Sequence, residues 1–264
     1  MLQDPGFSNP NRNGTSVYSL EKPNLPGRVI VAETVEALTE LMAEDFVGHS
    51  LNCVRSFGDF HIALSGGESL VPFYRRLMID PACRLAPWRK THLWIVDERR
   101  TSWDDDESRW QTVGGFIGDH AGIPASQQHP MPALSDEVEE EYEQALRSAL
   151  EWRERGHDRL DYVLLELGPS GEAAGLTPQS PALREDRRLV RINEASTSPR
   201  VTMTYPLINA ARFVAVVVTG AKKRTLVERI ASGAARTDEL PILGVQPFGG
   251  ELRWYLDRDA CPTS

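Results

Sequence analysis

The residues best suited to chemistry lie in short loops that follow apolar segments. In the first of these loops, residues 65–69 (Ser-Gly-Gly-Glu-Ser), small side chains precede a predicted helix. Backbone N–H groups and the positive end of the helix dipole favour an anion such as phosphate at such a position. A tight turn between a strand and a helix has the same composition, so the loop alone indicates either a turn or an anion site.

Two further loops combine charged residues with strand ends. Residues 97–100, Asp-Glu-Arg-Arg, offer guanidinium groups for bidentate hydrogen bonds to phosphate or carboxylate, although a solvated charged turn has the same pattern. Residues 219–224, Thr-Gly-Ala-Lys-Lys-Arg, open a helix with a basic first turn. Because the helix dipole disfavours positive charge there, this loop favours anion binding. The sequence contains neither a Walker A motif nor a GxGxxG motif, so nucleotide binding is not indicated.

The elements that position these loops alternate between apolar strands and amphipathic helices. Helices are predicted after Thr34, after Ser69, over residues 137–155 and over residues 222–232. Strands are predicted at residues 29–32, 61–64, 91–96, 162–167, 190–193, 201–204, 213–218 and 252–256. This alternation predicts a three-layer α/β fold with a mostly parallel, Rossmann-like sheet and helices on both faces. Ligands bind such sheets at the carboxyl ends of the strands, where the charged and glycine-rich loops lie.

Composition is that of a globular protein with a full core. The chain has 264 residues, of which 41% are hydrophobic and 25% charged. Residues 1–26 are rich in Asn, Pro and Gly and are predicted to form a loose arm. Residues 27–264 are predicted to form a single α/β domain.

Charge and cysteine content exclude several classes of protein. The net charge of -9 argues against a general binder of nucleic acid or of anionic membranes. Cys53, Cys83 and Cys261 are scattered and form no C-x-x-C pair, so neither a disulfide framework nor a zinc site is indicated. A signal peptide and an apolar membrane span are not recognised, which favours the cytoplasm.

The order of the loops resembles that of one family. Segments similar to the successive motifs of 6-phosphogluconolactonases, which share their fold with glucosamine-6-phosphate deaminases, occur at residues 64–67, 94–99, 161–178, 200–204 and 220–223. The resemblance extends over residues 28–260. Asp-Glu-Arg at residues 97–99 favours the lactonase branch, because the deaminases usually continue Asp-Glu-Tyr. An ordered set of motifs is more specific than any one of them.

The resemblance implies an activity and a set of site residues. The implied reaction opens 6-phosphogluconolactone to 6-phosphogluconate, in the pentose phosphate pathway, without a metal or another cofactor. Asp97 would face the sugar, and the anion would be bound by Arg99, Arg200 and Lys223. The sugar-phosphate site would be lined by Ser65, Gly66, Gly67 and Gly171.

The catalytic segment departs from the family pattern. Where the family has Asp-Gly-His, with the histidine as presumed general base, this chain has Ser170, Gly171 and Glu172. Glutamate can act as the base, but its ordinary pKa is about 4.3 against about 6.5 for histidine, so it is the weaker base. Glu172 can also be a solvated carboxylate or a partner of Arg184 or Arg187.

Other departures occur in two of the remaining loops. The family usually has Ser/Thr-Thr-Pro at residues 68–70, where this chain has Glu-Ser-Leu, and Ser-Asn at residues 108–109, where it has Ser-Arg. Two functions follow from these changes. The chain is either a lactonase that uses Glu172, or a catalytically impaired sugar-phosphate-binding relative that serves as a sensor or interaction protein. Oligomeric state is not predicted.

Overall fold

Ten strands are described by a computed structural model, which covers residues 21–151, 153–154, 156–195 and 198–263. They are β1 Arg28–Ala32, β2 Phe60–Leu64, β3 Thr91–Ile95, β4 Asp97–Arg99, β5 Gln128–His129, β6 Tyr162–Glu166, β7 Val190–Asn193, β8 Arg200–Met203, β9 Phe213–Val218 and β10 Glu251–Asp257. Seven of them form a parallel sheet in the order β1-β10-β9-β6-β2-β3-β5. The predicted mostly parallel α/β fold is therefore confirmed.

The helices follow the strands in the predicted alternation. They are α1 Val35–Phe57, α2 Val71–Ile79, α3 Arg109–Val113, α4 Val138–Leu150, α5 Tyr205–Ala210 and α6 Arg224–Ala231. The side chain of Thr34 caps α1 by accepting a hydrogen bond from the Ala37 amide, and Gly58 ends the helix with a φ of 92°. Every residue of β2 and β9 is buried, which requires cover on both faces of the sheet.

Several details differ from the sequence prediction, which contained neither strands β4 and β5 nor helices α3 and α5. Helix α4 ends at Leu150 instead of continuing to residue 155, because Arg153 turns into the protein and forms ion pairs with Asp59 and Asp161. Strands β7 and β8 do not join the main sheet. They form a separate antiparallel sheet with β4, in the order β4-β8-β7.

The connection between the first described residues and the sheet is partly fixed. Residues 1–20 of the predicted loose arm lie outside the described residues, and residues 21–25 have no regular secondary structure. Leu25 is buried, and the indole Nε1 of Trp254 donates a hydrogen bond to the Pro26 carbonyl at 2.7 Å. The last residues before β1 are thus anchored to the central sheet.

The order of strands reverses between β2 and β6. From β2 the chain proceeds through β3 and β5 to one edge of the sheet, whereas from β6 it proceeds through β9 and β10 in the other direction. The loops that leave two such strands diverge and open a crevice at their carboxyl ends, where ligands bind in open α/β sheets. Here these loops begin at Ser65 and Leu167.

Candidate active site

A cavity of about 410 Å³ lies at this reversal. Three arginines and four carboxylates contribute to its wall. Its lining residues are Ser65, Gly66, Gly67, Glu68, Asp97, Arg99, Arg109, Glu166, Gly168, Pro169, Glu172, Ala174, Thr177 and Arg200. The fold thus brings together the loops after β2 and β6 with the small antiparallel sheet.

Most of the residues predicted for the site line this cavity, and two do not. Ser65, Gly66, Gly67, Asp97, Arg99, Glu172 and Arg200 are in its wall. Gly171 has a φ of 82° and is buried against Leu240. The Nζ of Lys223 donates a hydrogen bond to the Leu167 carbonyl at 2.7 Å, behind the wall. Burial lowers the pKa of Lys223, while the nearby carboxylates of Glu166 and Glu172 oppose that shift. The roles of all nine residues remain predictions.

One wall of the cavity is positively charged and is formed by the small sheet. Arg99 and Arg200 are directly opposite each other in the antiparallel pair of β4 and β8, so their side chains project from the same face. Arg200 Nη1 lies 2.7 Å from Asp97 Oδ2, and Arg99 pairs with Glu107. Because each guanidinium has further donors, the two can still bind an anion together.

Glu98 fixes this wall to the start of α3 and was assigned no role from the sequence. Its carboxylate, fully buried, accepts hydrogen bonds from the amides of Arg99, Arg109 and Trp110 at 2.7 to 2.8 Å. The Ser108 hydroxyl is a fourth donor, at 2.9 Å. Burial raises the pKa of Glu98, and the backbone amides act in the opposite direction. Its function is to hold β4 and α3 together.

The loop after β2 packs tightly on α3. A Cβ atom at Gly66 would lie 2.6 Å from the Arg109 carbonyl oxygen, so this close approach requires glycine. The Arg109 Nη1 in turn donates a hydrogen bond to the Gly66 carbonyl at 3.1 Å. Arg109, a departure from the family pattern, therefore supports the loop as well as lining the cavity.

Glu166, the last residue of β6, occupies the opposite side of the same loop. Its Oε1 accepts a hydrogen bond from the Ser69 hydroxyl, and a Cβ atom at Gly67 would overlap its Oε2. No role was assigned to Glu166 from the sequence. The available signal was an acidic residue that ends an apolar strand directly before Leu-Gly.

Glu172 is held over the loop that follows β6. Its Oε2 accepts a hydrogen bond from the Ser170 amide at 2.5 Å, and its carbonyl accepts one from the Gly168 amide at 3.0 Å. The side chain packs over Gly168, where a Cβ atom would overlap it. No ion pair joins Glu172 to Arg184 or Arg187 among the described residues. Glu172 instead lines the cavity.

Comparison with known proteins identifies the family of this fold and site. The family of glucosamine-6-phosphate isomerases and 6-phosphogluconolactonase matches residues 33–254. The chain belongs to this family. The resemblance drawn from the order of the loops is thus confirmed.

Individual members of the family differ in how much of their length this chain matches. It is 37% identical over 207 residues to the 6-phosphogluconolactonase of Synechocystis sp., covering 77% of this chain and 84% of that protein. It is 35% identical over 241 residues to the human GDH/6PGL endoplasmic bifunctional protein. That match covers 88% of this chain, which spans only 30% of the bifunctional relative.

A solved structure of the family has the same fold. The 6-phosphogluconolactonase from Thermotoga maritima superposes with a TM-score of 0.75 over 88% of this chain and 99% of that one, at 22% identity. None of the helices among the described residues combines the length and apolar character needed to cross a membrane.

None of the described residues that line the cavity is a histidine, and three of the histidines lie together elsewhere. His61, His92 and His129 form a stack with Asp59 beside it. The Trp94 indole N–H donates to His61 Nδ1 at 3.2 Å, so His61 Nε2 carries the proton and donates it to Asp59 at 3.0 Å. A metal ion at Nε2 would have to displace that proton. The donor set is therefore poorly suited to a metal.

Proposed function

We propose that this chain hydrolyses a sugar-phosphate lactone of the 6-phosphogluconolactone type, with Glu172 as general base. One observation supports this most directly: a carboxylate at the position of the family histidine lines the same cavity as the Arg99–Arg200 pair. The cavity volume of about 410 Å³ suits a monosaccharide. The cytoplasm is the proposed location, in keeping with three free, buried cysteines.

The reaction requires a base, an attacking water and hydrogen-bond donors. Glu172 takes a proton from the water, whose oxygen attacks the lactone carbonyl carbon. The tetrahedral intermediate then collapses, the bond from that carbon to the ring oxygen breaks, and Glu172 returns the proton to the departing oxygen. The products are a hydroxyl group and a carboxylic acid, which releases its proton to solvent and becomes a carboxylate, and no electrons are exchanged with a cofactor.

The geometry around Glu172 fits this role. The bond from the Ser170 amide to Oε2 fixes the orientation of the carboxylate, so that Oε1 is the oxygen assigned to the water. Arg99 and Arg200 offer planar guanidinium donors for the phosphate. Asp97 holds Arg200 in place at 2.7 Å and is itself available to sugar hydroxyls.

The decisive experiment measures lactone hydrolysis above the spontaneous rate. The wild-type chain is compared with Glu172→Gln, which removes the base but keeps the shape, and with Glu172→His, which restores the family residue. Glu44→Gln is the matched control, because Glu44 is exposed on α1 and the charge change is the same. We expect a loss of at least about 100-fold in kcat for Glu172→Gln and none for the control.

The alternative function predicts different hydrolysis rates for the wild type and the variants. If the wild-type chain does not exceed the spontaneous rate, and Glu172→His gains activity, the chain is a sugar-phosphate-binding relative without turnover. An active wild type with a fully active Glu172→Gln variant would exclude Glu172 as the base. Absence of any sugar-phosphate binding would contradict both functions.

A further inference from the structure

The glycine loop that follows β2 already contains an anion, supplied by the protein itself. The Glu166 carboxylate lies against Gly67, and its Oε1 accepts the hydrogen bond of the Ser69 hydroxyl. Ser69 belongs to the short helical turn Glu68–Leu70 that leads directly into α2. Glu166 thus occupies the position in front of a helix at which an external anion would bind.

The position of Glu166 follows from the topology. Strands β2 and β6 are neighbours in the parallel sheet, with Leu64 opposite Leu164. The last residue of β6 therefore lies beside the loop that leaves β2. A carboxylate at this place faces the loop across the reversal of strand order, whereas a residue without a side chain would leave the loop open to the cavity.

The charges nearby reinforce the effect. Glu68 and Glu172 line the same cavity as Glu166, and the one arginine among the described residues that is bonded to this loop, Arg109, is directed to the Gly66 carbonyl, whereas Arg99 and Arg200 belong to the small antiparallel sheet. Lys223 is close enough to Glu166 and Glu172 for their charges to favour its protonated form. Its Nζ is bonded to the Leu167 carbonyl and Lys223 does not line the cavity, so its charge partly offsets the carboxylates without offering a contact to a ligand. A phosphate entering the glycine loop would meet like charge at close range.

We infer that Glu166 is a specificity-determining residue: its carboxylate occupies the anion position of the loop Gly66–Ser69 and weakens binding of a ligand's phosphate there. This inference rests on the proposed function only for the choice of sugar ligands. The Glu166 carboxylate favours uncharged hydroxyl groups, which can donate hydrogen bonds to it.

The test is equilibrium binding, measured by calorimetry with ligands that do not react. The probes are 6-phosphogluconate, inorganic phosphate and gluconate, which lacks the phosphate. Glu166→Gln keeps the shape and an oxygen acceptor for Ser69 but removes the charge, and Glu166→Ala empties the position. Glu44→Gln is the control for loss of one negative charge at a distance.

We expect Glu166→Gln to lower the Kd for 6-phosphogluconate at least about 10-fold, because like-charge repulsion is removed. The Kd for inorganic phosphate should also fall, and the Kd for gluconate should change less than about 2-fold. The control should leave all three Kd values unchanged. An unchanged or higher Kd for both phosphate-containing ligands in a folded Glu166→Gln and Glu166→Ala protein would overturn the inference. An equal gain for gluconate would also overturn it, since the effect would then not concern phosphate.

The outcome is separate from that of the hydrolysis experiment. Binding of 6-phosphogluconate does not require turnover, so a wild-type chain that fails to hydrolyse lactone leaves the Glu166 inference standing. Conversely, an active chain whose phosphate affinity is insensitive to Glu166 would retain the proposed function and lose only the inference.

Discussion

The two ends of strands β2 and β6 carry charged residues of the same types, but they arrange them differently. At the amino ends, Asp59 precedes β2 and Asp161 precedes β6, and Arg153 bridges them. At the carboxyl ends, Glu166 of β6 instead accepts a hydrogen bond from the Ser69 hydroxyl in the turn after β2, and a cavity lies beside them. One pair of neighbouring strands thus positions both a closed ionic network and an open site.

The closed network pairs its charges by direct contact. Arg153 binds Asp161 through two nitrogens at 2.7 and 3.0 Å, and Arg212 Nε binds the same carboxylate at 3.0 Å. Asp161 also accepts the amide of His61 at 2.8 Å. In the open site, by contrast, Glu68, Glu166 and Glu172 line one cavity, and none of them forms an ion pair with an arginine among the described residues.

The largest effect expected from this comparison concerns stability. Arg153→Met removes one partner of two buried carboxylates and should lower the free energy of unfolding by about 3–5 kcal/mol. Arg99→Met removes a partner of Glu107, whose side chain is 64% exposed, and should cost less than about 1 kcal/mol. Urea denaturation of both variants measures the difference. Equal costs would show that the two ends of the strands do not differ in this respect.

Sequence patterns could predict the elements that depend on local order. The parallel strands, the N-cap of α1 and the glycine loop all follow from residues close together in the chain. The family motifs also predict that Arg99 and Arg200 share one site, and the two residues are directly opposite each other in β4 and β8.

The unpredicted features depend on register between distant segments. Glu166 acts on Ser69, 97 residues away, because β6 lies beside β2. Glu98 is recognised as a structural anchor only when the start of α3 packs against β4. Lys223 was expected to bind the ligand, but the structure directs its Nζ to the carbonyl of Leu167. Motif spacing specifies which residues approach the site and not which atoms face the cavity.

A smaller effect should distinguish the arginine wall from the rest of the site. Arg99→Met should weaken binding of 6-phosphogluconate about 10-fold while leaving the affinity for gluconate nearly unchanged, because the lost guanidinium is the partner of the phosphate, which gluconate lacks. Arg99→Lys keeps the charge without the planar donors, so its affinity for 6-phosphogluconate should lie between those of the wild type and Arg99→Met. Calorimetric titration provides the measurement. Equal loss of affinity for both ligands would place the phosphate elsewhere in the cavity.

The smallest expected effect is a loss of stability in acid caused by the histidine stack, which consists of His61, His92 and His129 beside Asp59. Burial, and then repulsion from neighbouring histidines, lowers the pKa of His92 to about 4 and that of His129 to about 3. In the unfolded chain both histidines have a pKa of about 6.5, so the unfolded state takes up protons first as the pH falls. The neutral rings carry no cost above a pH of about 6.5, and stability is lost as the pH falls from that value towards about 4 for His92 and about 3 for His129.

Because both rings are partly exposed, the loss between pH 7 and pH 5 should be about 1–2 kcal/mol in total. His92→Phe and His129→Phe retain stacked rings without the titrating group, so each should reduce the difference between urea denaturations at the two pH values, whatever its effect at pH 7. Both rings stack in a register set by strand pairing, with His92 opposite His61 and His129 opposite Trp94. An unchanged pH dependence in both variants would show that acid acts on another group.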